Sequence, residues 1–216
     1  MLSTNNLSKS YGDLNILKGV SMEVKKGEIV SIVGASGAGK STLLHIIGTL
    51  DRPDSGRVII DEVDVFSLSA TKIAQFRNQK IGFVFQFHHL LPEFSALENV
   101  MMPALINKVS VSTAQKKAHS LLDRMQLNDR LHHKPSELSG GEQQRVAIAR
   151  SLINDPAIIF ADEPTGNLDS SNSLIIFDMI LQLRAELQQT FILVTHNDDL
   201  AKQSDRTLRM ADGKTI

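Results

Sequence analysis

The run Gly34-Ala35-Ser36-Gly37-Ala38-Gly39-Lys40-Ser41-Thr42 has the spacing G-x-x-x-x-G-K-[ST], which suits one task, the holding of a polyphosphate. Glycines let the backbone curl so that successive N–H groups face one anion, and a following helix adds the partial positive charge of its N-terminus. Lys40 can then reach the β- and γ-phosphates, and the Ser41 hydroxyl can ligate Mg²⁺. A second candidate is the carboxylate pair Asp162-Glu163, directly after the apolar run Ala157-Ile158-Ile159-Phe160-Ala161. Two carboxylates ending a buried strand need a cation or polar partners to offset their desolvation. Asp162 suits Mg²⁺, commonly through water, and Glu163 suits orienting or deprotonating an attacking water.

Gln86 and His196 each close a further apolar run, Ile81-Gly82-Phe83-Val84-Phe85 and Phe191-Ile192-Leu193-Val194-Thr195. Either alone means little. Together with the carboxylates they put polar groups at several strand ends, where ligands bind in open α/β sheets. The glutamine can face Mg²⁺ or the attacking water, and the histidine can hydrogen-bond a γ-phosphate. Ser139-Gly140-Gly141-Glu142 spells a capping box, with glycines at a helix N-terminus that again suit an anion. It can equally be a well-capped helix and nothing more, since one nucleotide does not need two such termini from one chain. The motif gains meaning only if two chains meet. Tyr11, the single tyrosine, lies in the turn-rich Ser10-Tyr11-Gly12-Asp13, where its ring can stack on a purine or serve as an ordinary packing residue.

These groups need elements to hold them. Residues 1–33 read as short strands with turns, ending in the buried run Glu28–Val33. Leu43, Leu44, Ile46 and Ile47 fall on one helical face after the glycine-rich loop. Arg52–Gly56 reads as a turn and Arg57–Glu62 as a strand. From 92 to 137 proline recurs and helical spacing replaces strands, with Ala118, Leu121, Leu122 and Met125 on one face of Ala114–Leu127. This predicts a helical lobe, approximately 87–156, inserted into an α/β core. A helix from Ser139, a helix over 171–189 and a terminal hairpin around Met210–Lys214 complete the reading.

Composition narrows the classes. The chain has 216 residues, no cysteine and a net charge of −1 with 22% charged residues. Disulfide frameworks and Cys-based metal sites are excluded, and no overall basic field invites nucleic acid. The N-terminus does not read as a signal peptide, and no apolar run is long enough for a membrane span. The adjacent pairs His88-His89 and His132-His133 point apart on a strand or helix and make poor metal sites. His45 and His119 read as helical surface residues.

Over its whole length the sequence resembles the ATP-binding subunits of ABC transporters. The matching pieces occur in family order. They are Tyr11 as the adenine-stacking aromatic, Gly34–Ser41 as Walker A, Gln86 as the Q-loop glutamine and Leu138-Ser139-Gly140-Gly141-Glu142-Gln143 as the signature. Ile158–Asp162 with Glu163 matches Walker B and the catalytic glutamate, Asp169 closes the D-loop, and His196 matches the switch histidine. The resemblance implies an α/β P-loop NTPase with a mixed-sheet core, an N-terminal antiparallel β subdomain and the inserted helical lobe, all one ATP-binding domain over 1–216. It implies ATP and Mg²⁺ as cofactors, with Ser41, Gln86 and Asp162 toward the metal. It also implies a head-to-tail dimer in which Ser139 and Gly141 touch the partner's nucleotide, a homodimer being the simpler case.

A finer resemblance, carried by Phe85–Val100 and Pro164–Asp169, is to the subgroup that works with type VII (MacB-like) permeases. Within it, Phe87-His88-His89-Leu90-Leu91-Pro92 looks most like the lipoprotein-releasing ATPases of Gram-negative bacteria. That implies a peripheral place on the cytoplasmic face of the inner membrane, with an integral-membrane permease docking near Phe87–Leu91. The alternatives are the ATPase of a macrolide or peptide exporter, or the related cell-division ATPase, whose site chemistry would be identical.

Overall fold

The computed structural model describes residues 1–216. Two long strands, β1 (Leu2–Tyr11) and β2 (Leu14–Val24), precede β3 (Ile29–Val33) and α1 (Lys40–Ile47). Then come β4 (Ser55–Ile60), β5 (Val63–Asp64), α2 (Ala70–Lys80) and β6 (Ile81–Phe85). The helices α3 (Ala96–Ile106), α4 (Val111–Arg124) and α5 (Gly140–Leu152) follow, then β7 (Ile158–Asp162), α6 (Ser170–Leu187) and β8 (Thr190–Val194). The chain closes with α7 (Asp198–Ala201), β9 (Arg206–Ala211) and β10 (Lys214–Thr215).

An antiparallel sheet in the order β2-β1-β4-β5 faces a mixed sheet in the order β10-β9-β3-β8-β7-β6. In the mixed sheet β9, β3, β8, β7 and β6 run parallel, and β10 returns antiparallel along the edge. Parallel strands buried on both faces read as unbroken apolar runs, which is why β3, β7 and β8 stood out in the sequence. Their side chains still alternate. Ile159, Ala161, Phe191 and Leu193 join a core with α3 to α6, whereas Ile158, Phe160, Ile192 and Val194 join a second core with α1 and the antiparallel sheet. Each sheet face is thus sealed, and polar groups are pushed to the strand ends.

Several boundaries differ from the sequence reading. The first two strands are long rather than short, because β-bulges between Thr4 and Ser10 absorb the polar residues that looked like turns. The strand expected over 57–62 spans Ser55–Ile60. Asp61 and Glu62, at φ 46° and 66°, form the tight turn into β5. The helix α2 has few buried apolar residues, only Ile73 fully so, and gave no periodic signal. The stretch 87–156 does carry α3, α4 and α5 and no strand. No helix is long and apolar enough to cross a membrane.

Phe160 sits midway along β7, between β8 and the edge strand β6, 0% exposed, with its ring 5.7 Å from that of Phe83. Phe160→Ala is expected to lower stability by about 3–5 kcal/mol in urea unfolding, since the paired sheet around it cannot collapse into the void. A loss below about 1 kcal/mol would mean that the two layers repack freely.

Candidate functional site

The parallel strands end at one level. β3 runs into Gly34–Gly39, β6 into Gln86, β7 into Asp162-Glu163 and β8 into His196. An open cleft of about 420 Å³ lies there, walled by Gly34, Ser36, Gly37, Gly39, Lys40, Ser41, Thr42, Glu163 and His196, with Ile16 from β2 at its side. Ala35 is exposed on the loop and Ala38 is packed beneath it. The loop's path depends on Gly34, because a Cβ there would lie 2.2 Å from the Met210 carbonyl oxygen. Gly39, at φ 96°, stands at the N-cap of α1 and offers no side chain to its first-turn N–H groups. Those donors are left free of a side-chain cap, an arrangement that suits an anion.

Lys40 Nζ donates to the carbonyls of Gly34 at 2.8 Å and Ala35 at 3.0 Å. These are neutral acceptors, and a phosphate oxygen offers the stronger, charge-assisted bond. Ser41 Oγ donates to Asp162 Oδ1 at 3.1 Å. Burial pushes the Asp162 carboxyl above its ordinary range, opposed by the Ser41 hydrogen bond and the charges of His45 and Lys40. A hydroxyl and a carboxylate oxygen this close form a hard-oxygen donor set of the kind Mg²⁺ takes when phosphates and waters complete its shell. The two residues fit that ion. His45, read as a surface residue, places Nε2 at 3.7 Å from Asp162 Oδ2. Its spacing of four from Ser41, which puts both on one helix face, was its only signal.

Glu163 follows Asp162 in the left-handed conformation, φ 48°. Its N–H donates to the Val194 carbonyl at 2.9 Å, and Oε2 meets His196 Nδ1 at 2.8 Å. The backbone turn swings this carboxylate into the cleft beside the loop. Strain at a non-glycine residue persists only where its surroundings over-determine it, and here two strand ends do so.

The remaining residues named from the sequence lie outside this cleft. Gln86 Nε2 donates to Asn167 Oδ1 at 2.9 Å, and Asn167 Nδ2 returns a bond to the Gln86 carbonyl at 3.1 Å. Asn167 was not singled out, since a lone asparagine in a turn segment carries no signal. Tyr11 is 52% exposed at the end of β1, its hydroxyl donating to Asp51 and its ring beneath Lys9 Nζ at 5.0 Å. The Asp51 hydrogen bond, ahead of burial, pushes its phenol up to about 12. Ser139 forms the expected capping box, with Glu142 N on its Oγ at 3.3 Å and Glu142 Oε2 on its N–H at 2.8 Å. The Ser139 N–H holds the Glu142 carboxyl below its ordinary range. Gly141 packs against α6, where a Cβ would lie 2.9 Å from Asn172 Oδ1. Asp169 is the N-cap of α6, its Oδ1 accepting from Asn172 N at 2.8 Å and Ser171 Oγ at 2.7 Å. Gln144, also missed, is fully buried and donates to the Pro164 carbonyl at 2.6 Å, tying α5 to the chain just after Glu163.

Comparison with known proteins matches residues 17–166 to the family model described as ABC transporter. The lipoprotein-releasing system ATP-binding protein LolD of Bacteroides thetaiotaomicron is 56% identical over 213 residues, covering 99% of this chain and 98% of that protein. Its counterpart from Cytophaga hutchinsonii is 53% identical over 216 residues, 100% of this chain and 99% of that one. Among solved structures, the dimeric post-hydrolysis state of the ATP-binding cassette MJ0796 bound to ADP and Pi superposes with a TM-score of 0.90. It is 42% identical and covers 100% of this chain and 96% of that one.

Capping makes a pH prediction. The Asn172 N–H first, then the Ser171 and Asn172 side chains, pull the Asp169 carboxyl down to about 2 from 3.8. A depressed carboxyl stabilises the fold fully above its unfolded value, and the contribution is lost as pH falls through about 2. Asp169→Asn, which keeps a capping oxygen, is expected to flatten the acid limb of helix unfolding followed by circular dichroism. An unchanged acid limb would remove Asp169 from the cap.

Proposed function

The chain belongs to the ABC transporter family, and we propose from that premise that it is the ATP-hydrolysing subunit of a bacterial lipoprotein-releasing transporter. The observation that carries the reading is the meeting of Lys40, Ser41, Glu163 and His196 at one cleft, with Asp162 behind Ser41. The full-length likeness to lipoprotein-releasing relatives supports the cargo class. The whole chain acts as one nucleotide-binding domain whose helical lobe covers about 87–156.

In this reading the N–H groups of Gly34–Gly39 and of the first turn of α1, together with Lys40, cradle the β- and γ-phosphates of ATP, while Thr42 extends the loop's polar rim. Ser41 and Asp162 would hold Mg²⁺, with Gln86, here bonded to Asn167, as a further ligand. Bound there, the ion would supply charge neutralisation at the phosphates. Glu163 accepts the proton of the attacking water, and His196, hydrogen-bonded to it, orients that carboxylate and meets the γ-phosphate. Tyr11 presents its ring to adenine.

The helix tip, exposed at Ser139 and Gly140 with Gly141 buried behind them against α6, stands outside the chain's own cleft. It therefore serves a second copy of the chain, packed head to tail, where its N–H groups meet the other protomer's γ-phosphate. Asp169 lies next to that tip. ATP closes the pair, and hydrolysis releases it. The chain sits on the cytoplasmic face of the inner membrane through a permease that docks at Phe87–Leu91. Exposure of 67% for Phe87 and 40% for Leu91 supports a docking surface.

Two measurements test this. Glu163→Gln is expected to bind ATP and accumulate as a dimer while turnover falls roughly hundredfold or more. Undiminished turnover would strip Glu163 of its role. Phe87→Asp is expected to weaken permease-stimulated hydrolysis about tenfold with ATP affinity intact. Parallel loss of nucleotide affinity would instead place Phe87 in the nucleotide site.

A further inference from the structure

The segment from Gln86 to Ser95 has no regular structure, so its backbone polar groups need partners from elsewhere. Three side chains supply them. Asn167 takes Gln86 at one end. At the other, buried Asn99 accepts from Leu91 N at 2.8 Å and donates to the carbonyls of Leu91, Phe94 and Ser95. Between them stands Arg150, on the helix α5 that begins at the Ser139 cap. Its Nη1 donates to the His89 carbonyl at 2.7 Å and its Nη2 to the His88 carbonyl at 2.7 Å.

This contact differs in kind from the other two. Asn167 and Asn99 belong to the chain's own sheet-end loop and to α3, whereas Arg150 shares a rigid helix with the proposed phosphate-binding tip. About 15 Å of helix axis separates Arg150 from Gly140. Both of its hydrogen bonds go to main-chain carbonyls, and partial burial lowers its basicity, so a partly desolvated cation is held by peptide dipoles. A planar fork matched to two adjacent carbonyls fixes direction as well as distance. His89, one of the two, is in the left-handed conformation at φ 47°, with its ring edge-on to Phe85 at 5.3 Å. The guanidinium holds a strained backbone in place.

We propose that Arg150 is a positioning residue that makes α5 a strut, passing the seating of the helix tip on a partner's nucleotide to the segment Phe87–Leu91. The inference rests on the head-to-tail pairing described above. Rotation of the tip moves the far end of the same helix, and the fork drags the carbonyls of His88 and His89 with it. Linkage makes the coupling reciprocal, so a protein pressing on the segment alters how the tip grips nucleotide.

Hydrogen exchange at the amides of residues 87–91 tests this in the full chain, in a Glu163→Gln background with and without Mg-ATP. Dimer formation is followed in parallel by light scattering. In the parent, ATP is expected to pair the chains and slow exchange across the segment. With Arg150→Lys added, which keeps the charge but not the fork, pairing is expected to persist while that slowing shrinks about fivefold or more. Equal slowing in both proteins overturns the proposal, leaving Gln86 as the carrier. A parent that pairs without any change in the segment overturns it as well, as does a folded Arg150→Lys chain that cannot pair. Should the lysine variant not fold, Arg150→Gln takes its place, bringing no charge into the half-buried site. A parent that never pairs overturns the dimer reading beneath it.

Discussion

Parallel pairing of β3, β8, β7 and β6 is the constraint on which everything else depends. Registered side by side, these strands stop at a common level and deliver the glycine-rich loop, the Asp162-Glu163 pair, Gln86 and His196 to one edge. Both faces of the sheet are sealed by apolar layers, so carboxylates can stand only where the strands run out. A shift of one residue in β7 would turn Phe160 toward the opposite core and carry Asp162 away from Ser41. Packing of the sheet and geometry of the cleft are one requirement.

Around that edge the chain assembles its reactive groups from pairs of elements. Ser41 comes from α1 and Asp162 from β7, Glu163 from the end of β7 and His196 from the end of β8. Each pair spans two elements joined through the sheet, so a small relative motion of strand ends changes how the groups meet. A site that must respond to loss of one phosphate benefits from such placement. The left-handed backbone at Glu163 is tolerated for the same reason, since hydrogen bonds to β8 fix it.

The helices α3 and α5 hold the irregular segments that leave this edge through hydrogen bonds as well as shared apolar packing. Gln144, Arg150 and Asn99 reach main-chain carbonyls at Pro164, at His88 and His89, and along Leu91–Ser95. Side-chain amides and a guanidinium do the work that β-pairing does in the sheet, and they do so where the chain is irregular. Such contacts hold position yet can exchange partners, which suits a segment proposed to face a permease.

Much was legible from sequence because it is local. The glycine spacing of 34–39, the capping box at Ser139 and the apolar runs of β3, β6, β7 and β8 each follow from backbone sterics or burial over a few residues. Family resemblance then ordered these pieces. Local signals failed where a residue's partner lies far along the chain. Asn167 meets Gln86 across 81 positions, Arg150 meets His88 across 62, and His45 faces Asp162 from another element. Periodicity also failed for α2, which buries too little apolar surface to show a stripe, and for β1, where bulges disguise the alternation. The sequence by itself determined which residue types were available for phosphate chemistry and which strands were buried. Only the tertiary structure decided which of them share a cleft, because that depends on sheet order and register, fixed by long-range packing that no short stretch encodes.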